Sequence, residues 1–281
     1  MKLPHILQAV YTSPWAITRE GWSAVHQIIK AHAIGQPVPK LEADPATDFF
    51  GNPLPKMRVT DAGVAIIPIC GTLMNHAGLL EKMCGACSYD DIRHDLDTAL
   101  TVRALQKIVL HIDSPGGTCS GSQEVADKIS RIRESGVRIE AVTDSQICSA
   151  AYNLAAGCNS ISCTKTSVVG SIGVIIALLD ESLAYEMQGL SRDLITSGPL
   201  KGTGFPGTTL SPEQRAYLQG TVDAYFKMFR AHVLRYRPTN DESMQGQVFI
   251  GEQAYDAGLV DELIEDVASV LNVDSEDVLD E

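Results

Sequence analysis

Residues 107–120 read Lys-Ile-Val-Leu-His-Ile-Asp-Ser-Pro-Gly-Gly-Thr-Cys-Ser. The run Ile108 to Ile112 is short, apolar and rich in β-branched residues, and Asp113 to Gly117 end it abruptly. That pattern describes a buried strand entering a tight turn, because Pro115 fixes its own φ while Gly116 and Gly117 tolerate positive φ. Val125, Ile129 and Ile132 then recur at helical spacing, so a helix over about 119–134 follows. A Gly-Gly turn between strand and helix exposes consecutive backbone N–H groups with no side chain in the way. It can serve as a plain βα connection, or it can hold an anion such as a phosphate or the oxyanion of a tetrahedral intermediate.

The same alternation extends outward. Val64 to Ile69 reads as a strand, with Pro68 indicating an edge position or a strand end. Ser88 and Asp91 read as a capping box for a helix carrying Ile92, Leu96 and Leu100. Val137 to Val142 is a further strand, and Ala150 to Ala156 a helix. Residues 160–176 are broken strand segments, and Leu194 to Thr196 a short strand before a polar, glycine-rich loop. Ser211-Pro212-Glu213-Gln214 starts a long helix whose Leu218, Val222, Tyr225, Phe226 and Phe229 form a buried face. A short helix over 252–257 stops at Gly258, with Leu259-Val260 as a brief strand. Strands and helices alternating from 64 to 260 predict an α/β domain with helices on a largely parallel sheet. Three regions follow: an N-terminal helix and linker arm over 1–58, the domain over 59–265, and an acidic tail over 266–281. Within the arm, Trp22, Val25, Ile28 and Ile29 form an apolar helical stripe suited to packing on the domain or a neighbouring subunit.

Composition limits the class. With 281 residues, 44% of them hydrophobic, the chain can bury a large core. Thirty-five acidic against 22 basic residues give a formal net charge of −13, which argues against a nucleic-acid backbone or an anionic membrane as partner. Seven irregularly spaced cysteines read as reduced thiols, and no stretch approaches the ~18 apolar residues of a membrane span. A cytoplasmic protein is expected.

The chemistry-bearing candidates are few. Ser149 stands where a strand hands over to a helix N-terminus, so it is either a helix cap or a nucleophile in need of a base. Of the seven histidines none lies in a glycine-rich loop directly after a clear strand, and His111 reads as a satisfied core residue. Lys201, among Gly, Pro and Thr, is the better base if it is desolvated, and otherwise a solvated loop lysine. Cys84-Gly85-Ala86-Cys87, with His76 and His94 at a distance, lacks the second close pair of a zinc site, so no metal is expected.

Taken together, these pieces resemble the signal peptide peptidase A family of serine peptidases. The resemblance covers about residues 60–265 and rests on five ordered segments. They are His111 to Gly117, Cys148-Ser149-Ala150-Ala151-Tyr152, Val169-Gly170-Ser171-Ile172-Gly173-Val174, Gly198-Pro199-Leu200-Lys201, and Phe249 to Val260. It implies the crotonase-like α/β spiral of ββα units shared with the Clp proteolytic subunit. It implies Ser149 as nucleophile, Lys201 as general base and Ser171 as the group that orients the lysine. Gly116, Gly117 and Ala150 would supply backbone N–H donors to the oxyanion, and no cofactor is implied. Ala150 and Ala151 replace the family's usual Gly-Gly, which leaves the backbone less free there.

The first 35 residues are similar to the soluble branch encoded by tailed phages and prophages, whose members process scaffold and capsid proteins during head assembly. That resemblance implies polypeptide substrates, a location in the host cytoplasm or prohead, and a homo-oligomer with shared active sites. The competing readings are a peptidase of signal or other peptides, an inactive capsid-assembly scaffold, and a crotonase-type acyl-CoA enzyme. The last expects an acidic group near the turn and a basic nucleotide site, which the Ser–Lys pairing and the net charge disfavour.

Overall fold

The computed structural model describes residues 13–33, 56–77 and 85–271. The predicted linker, Cys84 and the end of the acidic tail fall outside those residues, as do the side chains of Ile28 and Ile29. The described chain runs β1 (Trp15–Ile17), α1 (Arg19–Ala33), β2 (Arg58–Val59), β3 (Val64–Cys70), β4 (Thr72–Met74), β5 (Ala86–Ser88) and α2 (Tyr89–Leu100). Then come β6 (Lys107–Asp113), β7 (Gly116–Thr118), α3 (Ser122–Glu134), β8 (Ile139–Thr143), β9 (Gln146–Cys148) and α4 (Ala150–Ala156). The remainder is β10 (Ser160–Thr164), β11 (Val168–Gly170), α5 (Ser182–Met187), α6 (Pro212–Tyr236), β12 (Val248–Ile250), α7 (Gly251–Asp256), β13 (Glu262–Ile264) and α8 (Ala268–Leu271).

The fold is α/β. A six-stranded sheet of order β13-β10-β8-β6-β3-β2 is parallel except at β2, which pairs antiparallel with β3. Each of β3, β6, β8 and β10 passes within a few residues into a short strand of a second sheet. Those short strands form the sheets β1-β7-β4-β5 and β12-β11-β9. Strand β6 is central because it is apolar on both faces. Ile108, Leu110 and Ile112 face the main core with Ile92, Leu96, Val125 and Ile129 from α2 and α3. Val109 faces the other way onto Val64, Val142 and Leu271. Burying each such side chain stabilises the fold by about 1.5–3 kcal/mol.

Several local expectations are corrected. Ser88 caps α2 by accepting from the Asp90 N–H at 3.2 Å, one residue earlier than the box with Asp91 required. Residues 116–118, expected as the approach to a helix, form β7, and α3 starts only at Ser122. Leu194 to Thr196 is not a strand, since neither edge of a sheet reaches it and Ile195 is 99% exposed. The brief strand expected at Leu259-Val260 lies at Glu262–Ile264 instead. The Ser211 capping box is present, but α6 buries only Phe229, His232 and Val233. His111 is half-buried beside Asp144, 3.9 Å away, rather than enclosed in the core.

The end of α6 fixes α4. The buried Arg237 guanidinium donates to the carbonyls of Ala156 and Cys158 and pairs with Asp261, which in turn accepts from the Ile161 N–H at 2.8 Å. Arg237→Met would take its donor from the Ala156 carbonyl and leave Cys158 O only Arg133 and Asp261 only the Ile161 N–H. It is expected to destabilise the fold by about 3–5 kcal/mol, read as a lower urea midpoint at unchanged slope.

Candidate active site

The glycine turn is set by one serine. Ser114, fully buried, donates its hydroxyl to the Gly71 carbonyl at 2.7 Å and accepts from the Gly116 N–H at 3.2 Å. Its backbone pairs with β9, donating to Gln146 O at 3.0 Å and accepting from Cys148 N at 3.1 Å. Gly116 has φ +102°, and a Cβ there would lie 2.3 Å from Ala16 O, 2.9 Å from Ser149 Cβ and 3.1 Å from Ala150 N. A Cβ on Gly117 would lie 1.9 Å from Leu73 O. Both positions therefore require glycine, because backbone and nucleophile candidate approach too closely for any side chain.

Ser149 forms the corner between β9 and α4 with φ 54° and ψ −117°. A non-glycine residue held there costs on the order of 1–3 kcal/mol and persists only where its surroundings over-determine it. Here the surroundings are its own N–H donating to Gly170 O at 2.7 Å and its carbonyl accepting from Asn153 N at 2.9 Å. The residue is fully buried, yet among the described residues its Oγ has no hydrogen-bond partner. Ser149 occupies the cap position of α4 without making a cap bond, so the capping reading fails. An unpartnered buried hydroxyl is costly, and it calls for an explanation outside the packing of the single chain. The neighbouring Cys148 is no rival nucleophile, since burial pushes its thiol up to about 12 and keeps it neutral.

Ser171 is brought alongside by sheet register. Strands β9 and β11 are parallel with Cys148 opposite Gly170, so the next residues of both strands, Ser149 and Ser171, leave the sheet together. Ser171 is buried with φ 51°, held by its N–H donating to Gln247 O at 2.7 Å. Beyond it opens a cavity of about 410 Å³ lined by Ile17, Ser171, Val174, Val222, Phe226 and Met244. The structure thus gathers Gly116, Gly117, Ser149, Ala150 and Ser171. It does not add Lys201, which sits exposed in a turn closed by its own N–H to Gly198 O at 3.1 Å. No bond among the described residues joins its amine to Ser149 or Ser171.

The sequence reading missed β1. Trp15–Ile17 pairs antiparallel with Gly116–Thr118 and lies directly against the turn. Its local signal was slight: three apolar residues ahead of Thr18, whose hydroxyl accepts from Gly21 N at 3.1 Å.

The fold thus sets a buried, strained serine beside a glycine turn on a ββα scaffold. Residues 131–277 match Peptidase family S49, and the chain belongs to that family. It is 31% identical over 278 residues to the head-tail preconnector protein GP5 of Enterobacteria phage P21, covering 93% of this chain and 55% of that protein. It is 34% identical over 205 residues to the capsid assembly protease C of Escherichia phage lambda, covering 72% and 46% respectively. The chain thus spans about half the length of the curated relatives it matches. Among solved structures it is similar to the ClpP protease catalytic domain from Plasmodium falciparum, with TM-score 0.40 and 14% identity over 72% of this chain and 85% of that one. No helix among the described residues is long and apolar enough to cross a membrane.

Gly116→Ala tests the turn. The added methyl must push away Ala16 O and Ser149 Cβ, at a φ that alanine avoids. It should cost on the order of 1–3 kcal/mol in urea unfolding, more than the same change at Gly136, where nothing lies within 4 Å.

Proposed function

We propose that this chain is a serine endopeptidase acting through Ser149 and Lys201. The observation that carries it is the buried, unpartnered Ser149 hydroxyl at a strained corner facing the glycine turn. In this reading the Lys201 amine takes the hydroxyl proton as Ser149 Oγ attacks the peptide carbonyl, and Ser171 orients that amine. The tetrahedral oxyanion is met by backbone N–H groups of Gly116, Gly117 and Ala150. Its collapse breaks the C–N bond, the proton passes to the leaving amine, and water then hydrolyses the acyl-serine. For the Gly116 N–H this means exchanging its 3.2 Å bond to Ser114 for the oxyanion.

In this reading the basic partner of Ser149 comes from another copy of the chain, supported by the surface around Lys201. The segment bearing it exposes Leu179, Leu183, Met187, Leu190, Ile195 and Phe205, and α5 buries no residue at all. It is held mainly to itself, by Arg192 stacked between Tyr185 and Phe205 and by Thr209 donating to Ser182. Six exposed large apolar side chains on one segment support a contact with another protein. In our reading a second copy of the chain covers it, desolvates Lys201 and brings a lysine to the neighbour's Ser149. The substrates would be capsid or scaffold polypeptides in the host cytoplasm or prohead, a reading supported by the names of the two phage relatives.

Ser149→Ala and Lys201→Ala, each shown to be folded, should both lower hydrolysis of an unstructured protein by 10³-fold or more. Mixed after dissociation, the two inactive variants should regain activity, because Ser149 of one meets Lys201 of the other. Recovery absent while each variant still assembles would place the dyad within one chain. Full activity in both variants would remove the proposal.

A further inference from the structure

Strand β1 stands where an incoming peptide would have to lie. On one side Trp15, Ala16 and Ile17 pair with Thr118, Gly117 and Gly116, and the ladder is extended by Thr18 N to Pro115 O at 2.9 Å and Cys119 N to Pro14 O at 3.1 Å. On the other side Trp15 and Ile175 exchange two backbone bonds of 2.8 Å. The far edge of β7 is already taken by β4, through Leu73 opposite Gly117. An extended peptide pairing with the glycine turn therefore has one edge available, and β1 holds it. Neighbouring strands stand about 4.8 Å apart, so the slot between β7 and Ile175 admits one strand and no more.

The occupant is also aimed at the chemistry. Ala16 O and Ser149 Cβ both lie within 3 Å of a single point above Gly116, with Ala150 N at 3.1 Å from it. A carbonyl of β1 thus sits beside the nucleophile candidate and the first N–H of α4. The side chains are housed as a substrate's would be. Ala16 lines, with Cys119, Ser122, Asn153, Val174 and Phe229, a small pocket of about 20 Å³, room for little more than one water molecule. Ile17 reaches the 410 Å³ cavity beside Ser171. Beyond these ladders, Trp22 and Val25 of α1 pack on Trp15 and Ile17.

We propose that Trp15–Ile17 occupies, in cis, the slot through which a polypeptide reaches Ser149, so that the chain closes its own site until the arm withdraws. The slot selects an extended peptide with a small residue at the Ala16 position and a larger aliphatic one at the Ile17 position. This rests on Ser149 being the nucleophile.

The chain's two tryptophans, Trp15 and Trp22, are both in the arm, so its departure can be read in the full-length protein by fluorescence. The probe is acetyl-Phe-Ala diphenylphosphonate, which contains no tryptophan and carries its phosphorus where the Ala16 carbonyl lies beside Ser149. Attack by Ser149 Oγ forms an O–P bond and releases phenol, and the adduct is counted by intact mass. The proposal expects each adduct to come with a red shift of tryptophan emission and at least tenfold faster amide exchange at residues 15–18. It expects full-length Trp15→Gly/Ile17→Gly to react at least tenfold faster than the native chain. An adduct formed with emission and protection unchanged would overturn it, making β1 a fixed part of the sheet. A non-reactive peptide that fills all three positions, acetyl-Phe-Ala-Leu-NH2, added to folded Ser149→Ala, separates the two claims. A red shift there supports the slot even if no adduct forms on the native chain, in which case the nucleophile assignment alone falls. No red shift at saturating peptide overturns the slot.

Discussion

The hydroxyl and backbone of Ser114 join three strands at one point. Through its side chain it ties the carbonyl of Gly71 to the N–H of Gly116, and through its main chain it ties β6 to β9. The glycine turn and the Ser149 corner leave different strands of different sheets, and this residue fixes the distance between them. A buried hydroxyl with both donor and acceptor roles filled is worth about 1 kcal/mol net, but losing it would leave two buried backbone groups unpaired as well. Pro115, immediately after it, removes the conformational freedom that would otherwise blur the turn.

Two buried polar atoms of this corner, the Ser149 hydroxyl and Asn153 Oδ1, have no partner among the described residues, while the groups around them are tied down. Asn153, one turn into α4, reaches Ser122 with its amide, and Tyr152 donates to the Leu259 carbonyl at 2.8 Å. Arg237 meets the carbonyls at the other end of the same helix. Helix α4 is thus pinned at both ends and along its length, and the strain at Ser149 is held by that pinning. The flap carrying Lys201 is the opposite case. Its contacts are largely internal and its apolar side chains face outward.

Much of this was legible in the sequence, and the failures share a cause. The strand Ile108 to Ile112, the turn at Gly116-Gly117 and the helix start at Ser211 each carry their signal within a few residues, as turn chemistry and caps do. Gly116, Gly117 and Ser149 are legible from the order of strands and turns, Ala150 and Ser171 only from the family resemblance, and the fold brings the five together. What local reading could not supply was non-local pairing. Trp15–Ile17 is a strand only because Gly116–Thr118 and Ile175 offer it two edges more than a hundred residues away. Leu194 to Thr196 has a strand's composition and no edge to join. The apolar face of α6 is real as a pattern, but in one chain no residue before Phe229 is fully buried, and Leu218, Val222, Tyr225 and Phe226 stay half-buried. Periodicity shows that a face wants covering, not what covers it.

The parallel pairing of β9 with β11 has a consequence for how such a chain can vary. Ser149 and Ser171 are register mates, so the path between them, through α4 and β10, works as a ruler of fixed length. Substitutions along that path change packing by degrees, whereas adding or removing one residue in the turn between β10 and β11 would rotate every later side chain to the opposite face. Variation there is open in residue identity and closed in residue number. Length changes are cheap instead in the outward-facing segment between Ile175 and Ser211, which is bound to neither sheet beyond Ile175.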